Sequence, residues 1–172
     1  MRLPSVVSEA GLPARVSICD VGPRDGLQNE SAVVATATKV EFIRRLVRSG
    51  LAVVEATSLV RPDWIPQLAD AEALCHALLP LAEPARYPGV RFPVLVPNGR
   101  GLDRALRLGL CDIAVFASAT ETFSQRNLNR GRAEATKMFR PIVESAKAQA
   151  MRVRGYLSMC FGDPWEGQVP VE

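Results

Sequence analysis

Histidine, aromatic residues and closely spaced cysteines are the scarce components of this 172-residue chain: it has one histidine, 6% aromatic residues and four cysteines. Cys19, Cys75, Cys111 and Cys160 lie far apart with no Cys-x-x-Cys pair among them, which argues against a disulfide framework or a zinc cluster and for reduced thiols in a cytosol. His76 has no second histidine with which to share a metal and sits inside the helical pattern DAEALCHALL; we read it as structural. No run approaches the ~18 apolar residues of a membrane span. The opening stretch MRLPSVVSEAGLPARV carries Glu9 and lacks the sustained apolar core of a signal peptide. An excess of one charge is missing as well, since 21 Lys+Arg are scattered among 18 Asp+Glu for a net charge of +3. Without a basic stripe, nucleic acid is not expected as a partner, whereas phosphate-bearing small molecules suit a mildly basic surface. These absences together lead us to expect a soluble, cytoplasmic protein with no membrane association.

What the chain does have is apolar residue, 48%, enough to bury a core. Five β-rich runs recur, VSICDVG (16–22), VVEATS (53–58), FPVLVPN (92–98), IAVFAS (113–118) and VRGYLSMC (153–160). Near-continuous apolar runs suit strands of a parallel sheet buried on both faces. Helical patterns fill the intervals. Thr38 with Glu41 suggests a capping box, Val40, Ile43 and Val47 repeat at helical spacing, and Gly50 stands where a C-terminal glycine belongs. Residues 65–79 and 101–108 read as helices, and so does 132–150, where Pro141 removes a backbone donor and predicts a kink.

Strands alternating with helices specify a parallel α/β architecture, either a complete five-stranded doubly wound sheet or part of a barrel. From Val16 to Val153 four units span 137 residues, and eight of that length match the ~250 residues of a (β/α)8 barrel. The first strand decides between them. A doubly wound nucleotide binder should run from it into a G-x-G-x-x-G turn, but here Gly22-Pro23-Arg24-Asp25-Gly26 follows, with few glycines and two central charges. Charged groups at the C-terminal end of a strand are what a barrel mouth presents. The expected fold is therefore α/β, an incomplete (β/α)8 TIM barrel holding about the first five strands and their helices, with residues 1–172 forming the N-terminal part of one domain.

Arg24 and Asp25, adjacent in that turn, can be directed to different targets. Carboxylate oxygen suits a hard divalent cation, while a guanidinium stabilises an enolate or carboxylate oxygen; a loop ion pair is the plain alternative. Glu55 lies inside the apolar run VVEATS, where an unpaired carboxylate is costly, and Arg24 at the end of the neighbouring strand is its natural partner; a purely structural salt bridge is the plain alternative. Gln28, Asn29 and Ser58 could line a polar pocket or be ordinary loop polarity. Asn98 and Glu121 end the third and fourth runs as further pocket candidates.

CDVGPRDGLQNE (19–30) resembles the signature of hydroxymethylglutaryl-CoA lyases, and the resemblance continues through VVEATSLVRPDWIPQLAD (53–70), PVLVPNGRGLDRAL (93–106), FASATETFSQRNLN (116–129) and VRGYLSMCFGDPWEG (153–167). It implies metal-dependent retro-Claisen cleavage of 3-hydroxy-3-methylglutaryl-CoA to acetyl-CoA and acetoacetate, a step of leucine degradation and ketone-body formation. An acyl-CoA would be the partner, Mg²⁺ or Mn²⁺ the cofactor, and a homo-oligomer is possible for the complete enzyme. By the same resemblance Asp25 is a metal ligand, Arg24 stabilises the enolate oxygen, Glu55 is catalytically important, and Gln28 and Ser58 join Arg24 in substrate binding. Departures from the family pattern are specific: no His-x-His pair and no Gly-Gly-Cys occur in the chain, and Ser31 replaces a lysine of some members. An inert fragment or binding module, and a related acyl-CoA synthase or aldolase of the superfamily, remain as alternatives.

Overall fold

A computed structural model describes residues 11, 13, 15–81 and 87–170. Residues 1–10, read above for a leader segment, lie outside that range. Five parallel strand paths follow one another in sequence order: β1 (Cys19–Asp20), β2 (Val53–Val54) continued by β3 (Thr57–Ser58), β4 (Val94–Leu95), β5 (Asp112–Ser118) and β6 (Arg152–Ser158). β1 pairs with β2, while β3, β4, β5 and β6 form one parallel ladder. The two parts join through a bridge between Val53 and Arg91 and the bond from Ala56 N to Pro93 O, 3.0 Å. An antiparallel hairpin of β7 (Gly162–Asp163) and β8 (Gly167–Gln168) follows β6.

The strand order also reports curvature. In a flat sheet the first and fifth strands would lie roughly 19 Å apart at the usual interstrand spacing. Here Cys19 of β1 and Tyr156 of β6 approach to 3.9 Å between sulfur and hydroxyl. The sheet therefore curls until its two ends face each other across the concave side.

Helices α1 (Thr36–Arg48), α2 (Ala71–Leu78), α3 (Gly99–Arg107), α4 (Glu121–Leu128) and α5 (Arg132–Ala148) connect the strands. α1 buries Lys39, Ile43 and Val47, one residue per turn. Ile43 and Val47 pack with Leu74 and Leu78 of α2 on Val54 and Ala56 in one core cluster. A second cluster joins Val94, Val96, Ile113 and Val115 to Leu102 of α3 and Phe139 and Ile142 of α5. Gly50 ends α1 with φ +99°, a conformation that only glycine adopts without strain. Among the described residues, no helix is long and apolar enough to cross a membrane.

Several local expectations need correction. Thr38 does not cap α1: the helix starts two residues earlier behind Ala35, and Glu41 pairs with Arg44 and Arg45 on the exposed face. Of the run 16–22 only Cys19–Asp20 is strand, and Val16 and Ile18 are exposed. The predicted helix 65–79 is a 3-10 turn (Pro66–Leu68) followed by α2 and a second 3-10 turn (Leu79–Leu81), because Pro66 serves as a helix start. α5 continues as helix through Pro141. Of the pocket candidates, Asn98 accepts from Gly101 N at 3.0 Å at the start of α3, while Glu121 accepts from Arg132 N at 3.0 Å at the start of α5 and also lines a cavity with Ser118 and Cys160.

Candidate active site

The turn after β1 is a five-residue π-helical turn, Gly22–Gly26. The carbonyl of Val21 accepts from Arg24 N at 3.1 Å, Asp25 N at 2.7 Å and Gly26 N at 3.4 Å. Pro23, buried and without an N–H, fits where a donor would find no acceptor. Gly22 lies against Asp20, whose Oδ1 accepts its N–H at 2.9 Å; a Cβ there would meet the same oxygen at 3.1 Å and the Phe42 ring at 3.5 Å. The tight turn thus places Arg24 inward and Asp25 outward on consecutive residues.

Arg24 Nε donates to Glu55 Oε1 at 2.5 Å and Nη1 to Asp25 Oδ1 at 2.5 Å. Glu55 is fully buried, and its second oxygen accepts from the Tyr156 hydroxyl at 2.5 Å. Burial, followed by the adjacent Glu55 carboxylate, pushes the Tyr156 phenol well above its ordinary range, because phenolate would be desolvated beside another negative charge. The partnership of Arg24 with Glu55 inferred from adjacent strands is thus present, and so is the ion pair of Arg24 with Asp25. Asp25 has a half-exposed side chain, its carboxylate engaged through one oxygen. Gln28 is half-buried at the end of the same turn. Ser58 is buried, its hydroxyl donating to Leu95 O at 3.3 Å.

The loops that carry these groups are tied together below the mouth. Lys39, fully buried in α1, donates to Gln67 O at 2.5 Å and Asp70 Oδ1 at 2.6 Å, and Thr36 donates to Asp70 Oδ2 at 2.6 Å. Gln67 Nε2 donates to Glu30 O at 2.8 Å. The segment bearing Arg24 is therefore fastened to the segment after β3. Sequence reasoning missed Tyr156 and Lys39. Lys39 left a readable signal, a lysine on the apolar stripe with Ile43 and Val47. Tyr156 left none, since it reads as an ordinary strand residue until the sheet curls.

Among the described residues, no group of three or more His, Cys, Asp or Glu side chains is placed to hold a metal ion. Asp25 presents an exposed carboxylate at the mouth with one oxygen taken by Arg24, and one such ligand does not make a divalent site.

The sequence matches the HMGL-like family model over residues 15–167, nearly the whole chain. The chain belongs to the HMGL-like family. This HMGL-like chain is 45% identical over 160 residues to the rat (Rattus norvegicus) protein named 3-hydroxy-3-methylglutaryl-CoA lyase, cytoplasmic, covering 93% of this chain and 45% of that protein. It therefore spans about half the length of the curated relatives it matches, some named cytoplasmic and some mitochondrial. The solved hydroxymethylglutaryl-CoA lyase of Pseudomonas aeruginosa superposes with a TM-score of 0.84 at 39% identity, over 92% of this chain and 51% of that one. An Acinetobacter baumannii lyase solved with coenzyme A and 3-methylmalate gives 0.79 at 30% identity, over 90% and 48%. The parallel α/β fold of the HMGL-like chain is thus that of these lyases across their shared half.

Proposed function

We propose that this HMGL-like chain is the first five strands of a (β/α)8 barrel with their intervening helices, and that it carries the enolate-stabilising half of a hydroxymethylglutaryl-CoA lyase site. The observation that carries the reading is the buried Arg24–Glu55 pair at the end of β1, with Asp25 facing out beside it. In the retro-Claisen step the 3-hydroxyl of 3-hydroxy-3-methylglutaryl-CoA gives up its proton and the carbon–carbon bond breaks. Its electron pair moves onto the thioester as an enolate, and protonation of that carbon completes acetyl-CoA while the new ketone is acetoacetate. Arg24 is suited to the enolate oxygen: two of its three nitrogens are held by carboxylates, and among the described residues Nη2 meets no acceptor. A fixed guanidinium in a site screened from water stabilises developing negative charge without reorganising. Glu55, buried with both oxygens engaged, serves by holding Arg24, not by taking the substrate proton. Support for an acyl-CoA as substrate comes from the names of the relatives and from the coenzyme A bound to the Acinetobacter lyase.

The divalent cation implied by this reading has one candidate donor here, Asp25. The present residues do not complete a site for it, and no step is assigned to it. That same deficit favours a second reading, a non-catalytic chain that binds acyl-CoA. Incubating the purified chain with 3-hydroxy-3-methylglutaryl-CoA and Mg²⁺, with acetoacetate measured enzymatically and acyl-CoA binding by calorimetry, separates the two. Cleavage lost in Asp25→Ala and Arg24→Met supports the lyase reading. Saturable binding weakened by Arg24→Met with no cleavage supports the second, and absence of both overturns the site assignment.

A further inference from the structure

The Arg24–Glu55 contact is a single hydrogen bond, from Nε to one carboxylate oxygen, and not the two-pronged fork that fixes an arginine and a carboxylate in one plane. The other prong, Nη1, goes to the half-exposed Asp25. By itself this arrangement leaves the Glu55 carboxylate free to rotate about its last torsion, and Arg24 would follow either Glu55 inward or Asp25 toward solvent. A third group removes that freedom. The Tyr156 hydroxyl, carried on a rigid ring from β6, donates to the remaining Glu55 oxygen at 2.5 Å and approaches Cys19 Sγ at 3.9 Å. It reaches Glu55 across the concave face, from 101 residues along the chain.

We infer that Tyr156 is a positioning residue, whose hydroxyl fixes the plane of the Glu55 carboxylate and through it the inward placement of the Arg24 guanidinium. The inference goes beyond the lyase reading, on which it rests only for what Arg24 then does. It makes the Arg24 geometry depend on β6, so the first and fifth strands act as one unit in forming the site. Phenylalanine at 156 would fill the same volume but leave a buried carboxylate oxygen unsatisfied, and Glu55 would turn to find another donor.

The experiment uses the whole 172-residue chain labelled with ¹⁵N, without substrate or metal. The Arg24 Nε–H resonance, assigned by its loss in Arg24→Lys, should be shifted and protected in the unaltered chain. In Tyr156→Phe its exchange with solvent should be at least ten times faster while backbone amides away from the β1–β6 contact keep their positions. Unchanged protection of Arg24 Nε–H in a folded Tyr156→Phe chain overturns the inference. If that variant does not fold, the unaltered contact is read instead, from ¹³Cζ-labelled tyrosine in a Tyr87→Phe background. The remaining ring should stay protonated well above the ordinary tyrosine midpoint of about 10, and Glu55→Gln should bring it down. A midpoint near 10 with Glu55 intact overturns the inference. Neither measurement needs turnover, so failure of the lyase reading would show in the cleavage assay alone.

Discussion

Glu55 is the residue on which the candidate site turns, because a fully buried carboxylate survives only with its partners in place. Removing one member of a buried pair strands the other, and Glu55→Ala would leave Arg24 Nε and the Tyr156 hydroxyl without their acceptor, Arg24 keeping its Nη1 bond to Asp25. We expect a loss of about 3–5 kcal/mol in urea unfolding, with Glu55→Gln losing less because its amide oxygen still accepts from one of them. Equal stabilities for Glu55→Ala and the unaltered chain would mean that the pair contributes nothing to the fold. At this scale the sequence was partly legible. A carboxylate inside VVEATS demanded a partner, and a neighbouring strand offered Arg24. The demand for a second donor was equally real, but nothing along the chain pointed to residue 156.

Elements were legible where burial follows a period and obscure where it does not. α1 showed itself through Ile43 and Val47, whereas α4 has Ser124 as its buried residue and presents no apolar stripe to read. The β7–β8 hairpin was likewise hidden, since side-chain hydrogen bonds hold it more than apolar burial. Asp163 accepts from Thr120 Oγ1 at 2.5 Å, Trp165 N at 2.7 Å and Glu166 N at 2.9 Å. Burial works to raise its pKa, but these hydrogen bonds, with Arg126 nearby, win and hold the carboxyl below its ordinary value. A carboxyl with a lowered folded-state pKa contributes stability above the unfolded value, about pH 4, and that contribution disappears as pH falls through the folded value. The hairpin should therefore release below about pH 4. Trp165, whose ring sits 4.4 Å from the Arg126 guanidinium and 6.4 Å from Phe123, reports it. In a Trp64→Phe background its emission should change on acidification, and Asp163→Ala should show the released emission already at pH 7. Identical acid profiles with and without Asp163 would assign the transition to another group.

Across the whole molecule, the strand order and parallel pairing could be read from five apolar runs, but the curl of the sheet could not. Helices α1, α2, α3 and α5 pack on the strands, and the curl of the sheet brings Tyr156 to Glu55. Among the described residues the curled sheet has two open edges, β1 and β6, and Val16, Ile18, Leu157 and Phe161 beside them are exposed, Phe161 by 92%. Unpaired edges flanked by exposed apolar side chains invite further strands, in keeping with a chain that spans about half the length of its relatives. The central claim is that this half supplies working groups to a lyase site. It is tested most directly by a chimaera in which this chain replaces the matching 160-residue segment of the rat relative, assayed for cleavage of 3-hydroxy-3-methylglutaryl-CoA. The account predicts cleavage that falls by about 10²–10³-fold in kcat on Arg24→Met, the range for loss of one oxyanion-stabilising group. A folded chimaera that does not cleave while the rat enzyme does, or one indifferent to Arg24→Met, would contradict it.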